Sequence, residues 1–188
     1  TTNGDVPDEN DLQVNGTIYV TSTSVLSVRS FSNNGNALPS PIVDRTYLID
    51  EDNHDLPVVS IITNEDHLWD WNTGIYVMGP NASTDYPYFG SNFWQPWSRK
   101  SRMEYFDGTQ TKQFEAEFDL EIHGGWSRSE PQKSFRIDAK SIYTGEVKYA
   151  LIQRKPNITS YNNFNLRNGG QHGISNRMQD AVMSRLAE

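Results

Sequence analysis

The chain has 188 residues, a formal net charge of −8, 21% charged and 12% aromatic residues, and no cysteine. That length allows one domain with a real core, or one plus part of a neighbour, and the composition is that of a folded chain. The acidic balance argues against duplex nucleic acid as a partner, the absence of cysteine excludes disulfides and thiolate metal sites, and no apolar stretch approaches the roughly 20 residues of a membrane span.

Residues 1–16 are acidic and polar and read as a loose amino-terminal segment. Short β-type runs follow at 17–20 (TIYV), 25–32 (VLSVRSFS) and 41–49 (PIVDRTYLI), with a turn at Asn33, Asn34 and Gly35. The charged run DEDNHD (50–55) marks a boundary. Beyond it, PVVSIIT (57–63) reads as a buried strand. NEDHLWDW reads as a short helix near 65–71 capped by Asn64, and GIYVMG (74–79) as a further strand. Residues 80–98 form a long aromatic loop, of a length that compact domains usually reserve for function.

The clearest pattern lies at 113–123. Phe114, Ala116, Phe118, Leu120 and Ile122 alternate with Gln113, Glu115, Glu117, Asp119, Glu121 and His123, which is a strand with one apolar and one acidic face. The run RKSRMEYF (99–106) and the turn at Asp107–Gly108 make it the second half of a hairpin. Further strands are expected at 132–138, near 147–152 and at 161–168, with a turn at Thr144–Gly145. Residues 176–188 read as a helix, with Asn176 as cap and Met178, Val182 and Leu186 on one stripe. The start at Thr1 and a helix reaching Glu188 without a stop signal suggest a piece of a longer protein. The expected fold is mainly β, with antiparallel sheets, one short helix and a carboxy-terminal helix.

The segment IHGGWSRSEPQKSFRI (122–137) carries the chemistry. On a strand, Lys133 shares a face with Phe135 and Ile137; if that face is the buried one, its ammonium points inward. A buried ammonium must snorkel out, meet a carboxylate or meet a ligand anion. Gly124 and Gly125 let backbone amides approach an anion, and Ser127, Arg128 and Ser129 add donors. The competing reading is a tight corner between two strands with a lysine at its mouth. The spacing does not fit the phosphate-binding loop of nucleoside triphosphatases, and no kinase catalytic-loop signature appears.

Taken together, LPVVSIIT…HLWD…TGIYVMG, RKSRMEYFDG, IHGGWSRSEPQKSFRI and NFNLRNGGQHGISNRMQDAVMSRLAE resemble the amino-terminal part of the CotH (spore coat protein H) kinase family, over about 56–188. Residues 17–50 resemble the tail of a chitobiase-type, fibronectin-III-like β module. The resemblance implies an incomplete kinase-like domain from an extracytoplasmic or cell-surface protein of bacteria. It implies a parent that uses ATP and Mg²⁺ to phosphorylate a protein substrate. It assigns nucleotide-phosphate contact to Lys133, with Arg128, Gly124, Gly125 and Ser127 in the loop that leads to it. The family's catalytic and metal-binding acids lie beyond Glu188 in this register, so this stretch by itself is expected to be inactive.

Other constellations carry less. Glu115, Glu117, Asp119 and Glu121 suit a hard cation, but pairing with Lys100 and Arg102 or simple solvation explains them as well. His54, His67, His123 and His172 show no metal-type spacing, and no metal site is expected. Tyr88, Trp94 and Trp97 in the aromatic loop offer rings for a surface glycan, which is the alternative reading: a non-catalytic carbohydrate-binding or adhesive module.

Overall fold

The computed structural model describes residues 1–51, 55–140, 142–143, 145–169, 182 and 186. It is mainly β with very little helix. In chain order the elements are β1 (Ser24–Val28), β2 (Val43–Tyr47), β3 (Val58–Ile62), α1 (Glu65–Trp69), β4 (Ser98–Phe106), β5 (Lys112–His123), β6 (Ser134–Asp138), β7 (Val147–Lys148), β8 (Ser160–Tyr161) and β9 (Asn163–Leu166). The largest sheet has the order β3-β4-β5-β6-β9, and β1-β2 and β7-β8 form two-stranded sheets. The chain divides into two compact units, Thr1–Glu65 with Ser101–Ala116, and Asp66–Lys100 with Glu117–Glu188. The expected helix over 176–188 lies, apart from Val182 and Leu186, outside the described residues.

The first unit buries charged as well as apolar side chains. Ile62, Met103, Tyr105 and Phe106 supply its apolar interior. β1 and β2 pair antiparallel from Ser24↔Tyr47 to Val28↔Val43. Asp44 on β2 takes the Arg102 guanidinium of β4 at 2.5 Å and the Ser27 hydroxyl at 2.6 Å. One step along β4, Glu104 is 1% exposed. It accepts from the Thr46 amide at 2.5 Å and the Lys112 ammonium at 2.9 Å, with Arg45 at 3.7 Å. Arg102, expected to pair with the acidic face of β5, is thus committed to Asp44.

In the second unit the alternation of β5 is realised as expected. Phe118, Leu120 and Ile122 are buried and join Ile137, Ala139, Val147, Ile75 and Phe93 in the core. Antiparallel pairing sets Leu120 against Ile137 and Ile122 against Phe135. β9 adds Phe164 opposite Ile137 and Leu166 opposite Phe135, so three strands share one apolar face. On the other face Asp119 collects Lys140, the Tyr143 hydroxyl at 2.6 Å and Ser98 at 3.4 Å.

Two expected strands are absent. Residues 17–20 adopt no strand. Residues 74–79 form turns folded back on α1, with Gly74 N–H bonded to Asp70 O at 2.8 Å, Ile75 to His67 at 2.8 Å and Tyr76 to Leu68 at 3.0 Å. Asp70 causes this: its carboxylate accepts the amides of Asn72 and Thr73 and the Thr73 hydroxyl, which ends the helix after one turn. Gly79, at φ +73°, completes the reversal, and a Cβ there would lie 2.0 Å from the buried Asn92 side chain. The helix is also shorter than expected, ending at Trp69.

Candidate functional site

The corner between β5 and β6 contains every residue that the resemblance assigns to nucleotide. Gly124 sits at φ +124°, where an L side chain is strained, and a Cβ there would meet the Ser127 hydroxyl at 2.4 Å. Gly125 has open space where a Cβ would go. Trp126–Ser129 then form one 3₁₀ turn. The Arg128 guanidinium reaches back, donating from Nε to Gly124 O at 2.6 Å and from Nη1 to Phe93 O at 3.2 Å, with the Trp94 ring 5.9 Å away. Ser129 donates to Pro87 O.

Lys133 points inward, as two-residue periodicity requires, and is 7% exposed. Its ammonium donates to Arg128 O at 2.7 Å and Glu130 O at 3.0 Å. It lies 3.9 Å from the Phe93 ring centroid and 5.3 Å from that of Tyr76, distances at which a ring quadrupole stabilises a cation. The Tyr76 hydroxyl completes the enclosure by accepting from Lys133 N at 3.0 Å and donating to Pro131 O at 3.1 Å. Neither Lys133 nor Arg128 forms an ion pair with a carboxylate among the described residues. Two carbonyls and two rings solvate the Lys133 charge without neutralising it.

Burial drives the Lys133 pKa down to about 8, and the more distant Glu130 charge opposes the shift. Burial likewise lowers the Arg128 pKa, against the pull of Glu121. The sign for Lys133 follows directly. Its folded pKa lies below its unfolded one, so the unfolded chain holds more protons in the interval between them. Stability from this group therefore rises from about pH 8 toward about pH 10.4, and the burial cost is fully present below that window. Urea unfolding across this interval should show wild type gaining on Lys133→Met as pH rises; parallel curves would mean that the amine titrates normally.

The aromatic residues divide differently from the sequence expectation. Trp94 is half-buried, and its indole N–H donates to Pro87 O at 2.8 Å. Trp97 is half-buried under the Arg99 guanidinium at 5.4 Å. Tyr88 is half-buried against the edge of Tyr86. Exposed rings include Tyr86 and Trp126, 52% and 61% accessible with centroids 5.8 Å apart, and also Phe89, Trp69 and Trp71. Sequence reasoning missed Tyr76 and the cage role of Phe93, because neither belongs to the glycine corner in sequence. Among the described residues no three His, Asp or Glu side chains gather as a metal site would need. Within the acidic face of β5, Glu115 pairs with Lys112 at 2.8 Å and Glu117 with Lys100 at 3.6 Å. No family model, curated protein or solved structure matches the chain.

Proposed function

We propose that the chain is the amino-terminal portion of a CotH-like atypical protein kinase, in which the Gly124–Lys133 corner contributes contacts to nucleotide phosphates. The observation that carries this reading is the buried Lys133 ammonium, which no carboxylate neutralises among the described residues. A positive charge kept out of water and hydrogen-bonded to neutral carbonyls, with no carboxylate in ion-pair contact among the described residues, gains more from an anion than an exposed lysine does. Arg128 adds a second unneutralised cation four residues from Gly124. The turn at Gly124–Ser129 would have to yield the two carbonyls that now hold Lys133, so phosphate binding and loop movement are coupled in this reading. ATP is the expected nucleotide, and Mg²⁺ would supply charge neutralisation at acidic residues of the whole protein. The parent is expected to be extracytoplasmic and to act on a protein hydroxyl.

Calorimetric titration of the chain with ATP tests it. Lys133→Met keeps the side-chain bulk against Phe93 and Tyr76 and should weaken ATP binding about tenfold or more, the usual loss for a charged hydrogen bond. Equal affinities in wild type and variant remove Lys133 from the site.

The carbohydrate-binding alternative keeps one specific support, the exposed Tyr86–Trp126 pair. Stacking on a sugar face needs accessible rings, so the alternative now rests on these two and not on Trp94, Trp97 or Tyr88. Glycan binding lost in Trp126→Ala, with no response to ATP, selects it.

A further inference from the structure

We infer that the polar face of β5 and β6, opposite to Lys133, holds a site for a small soluble phosphoryl-type oxyanion, anchored by Arg136, with His123 beside it and Arg167 at its rim. Antiparallel register puts His123 across from Ser134 and Glu121 across from Arg136, so His123 and Arg136 are diagonal neighbours on one face. β9 continues the row, with Asn165 opposite Arg136. Arg167 directly follows β9, and the chain there is fixed to β6. Asn168 exchanges two hydrogen bonds with the Ser134 hydroxyl, both at 3.0 Å, and donates to Gln132 O.

Two donors on this face, Arg136 and His123, have no hydrogen-bond acceptor among the described residues. Among the described residues the Arg136 side chain makes no hydrogen bond: its Nε is buried with no partner, and its Nη2, on a side chain 41% exposed, is 3.9 Å from Asp138, too far for a hydrogen bond. Glu121, opposite in the ladder, does not close an ion pair with it. His123 has no hydrogen-bond partner among the described residues. A buried guanidinium nitrogen without an acceptor calls for an occupant such as water or an ion. Burial, and after it the charges of Arg128, Arg136 and Arg167, depress the His123 pKa, while Glu121 raises it. Three guanidinium groups thus act on one imidazole against one carboxylate, in a chain whose net charge is −8. A planar guanidinium fork matches two oxygens of a tetrahedral anion, and an imidazole N–H meets a third. Neither Arg136 nor His123 belongs to the Lys133 cage, but Arg128, whose carbonyl holds Lys133, also acts on His123; the Arg136 variants are what separate the two sites.

The test is an NMR titration of the chain with inorganic pyrophosphate at fixed ionic strength, read at the His123 imidazole, with His123→Gln used for assignment. A saturable His123 shift is expected. Arg136→Gln should weaken it about tenfold or more, and Arg136→Lys, which keeps the charge but loses the fork, should recover only part. Lys148→Gln, which removes an exposed cation on β7, should leave it unchanged. The inference is overturned if wild type shows no saturable shift, or if Lys148→Gln weakens binding as much as Arg136→Gln does.

Discussion

Glu104→Ala is expected to lower the unfolding free energy by about 3–5 kcal/mol, the range for removing one member of a buried ion pair. The side chain is 1% exposed and accepts from the Thr46 amide and the Lys112 ammonium. Alanine strands the amide and leaves the Lys112 charge, itself only 27% exposed, with Glu115 alone. Attraction to Glu104 and Glu115 outweighs desolvation and holds the Lys112 pKa above its ordinary value, so the pair favours the charged lysine. Removing both charges should cost less than the sum of the single changes, because the penalty lies mainly in the unpaired ion. Urea unfolding of Glu104→Ala, Lys112→Met and the double variant measures this. A loss below about 1 kcal/mol for Glu104→Ala, the level of a surface pair, would mean that the carboxylate is wet.

Phe118→Ala should destabilise the second unit by about 3–5 kcal/mol. Phe118 is 0% exposed, at the centre of the apolar face of β5. No polar network offsets its loss, so the cost is transfer plus cavity and should be insensitive to salt. Thermal unfolding with and without added salt checks both statements. A drop of less than about 2 kcal/mol, below the usual span for such truncations, would place the residue at a surface.

The elements differ in how far their sequence betrays them. β5 was legible along its whole length because period-two alternation persists over residues 113–123 and nothing else satisfies it. The inward direction of Lys133 followed from the same rule applied to Phe135 and Ile137. The 74–79 segment was not legible: its apolar run imitates a strand, but Gly74 and Gly79 let it fold back on α1, and that outcome depends on Asp70 capturing amides beyond the helix. The run at 17–20 has four β-formers and no alternating partner, and it stays outside both two-stranded sheets. The partners of Lys133 were likewise hidden. Tyr76 lies 57 positions away in sequence, and a carbonyl acceptor leaves no mark in side-chain identity. Buried ions such as Asp44–Arg102 escape pattern reading for the same reason, since their pairing joins strands 58 residues apart.

Direct titration of the Lys133 amine is the closest test of the proposal. Carbon NMR at Cε should give a pKa near 8 in the free chain, rising toward the ordinary lysine value when saturating ATP supplies the missing negative charge. A Lys133 pKa that is already normal, or one that ATP leaves in place, would contradict a buried cation awaiting a phosphate.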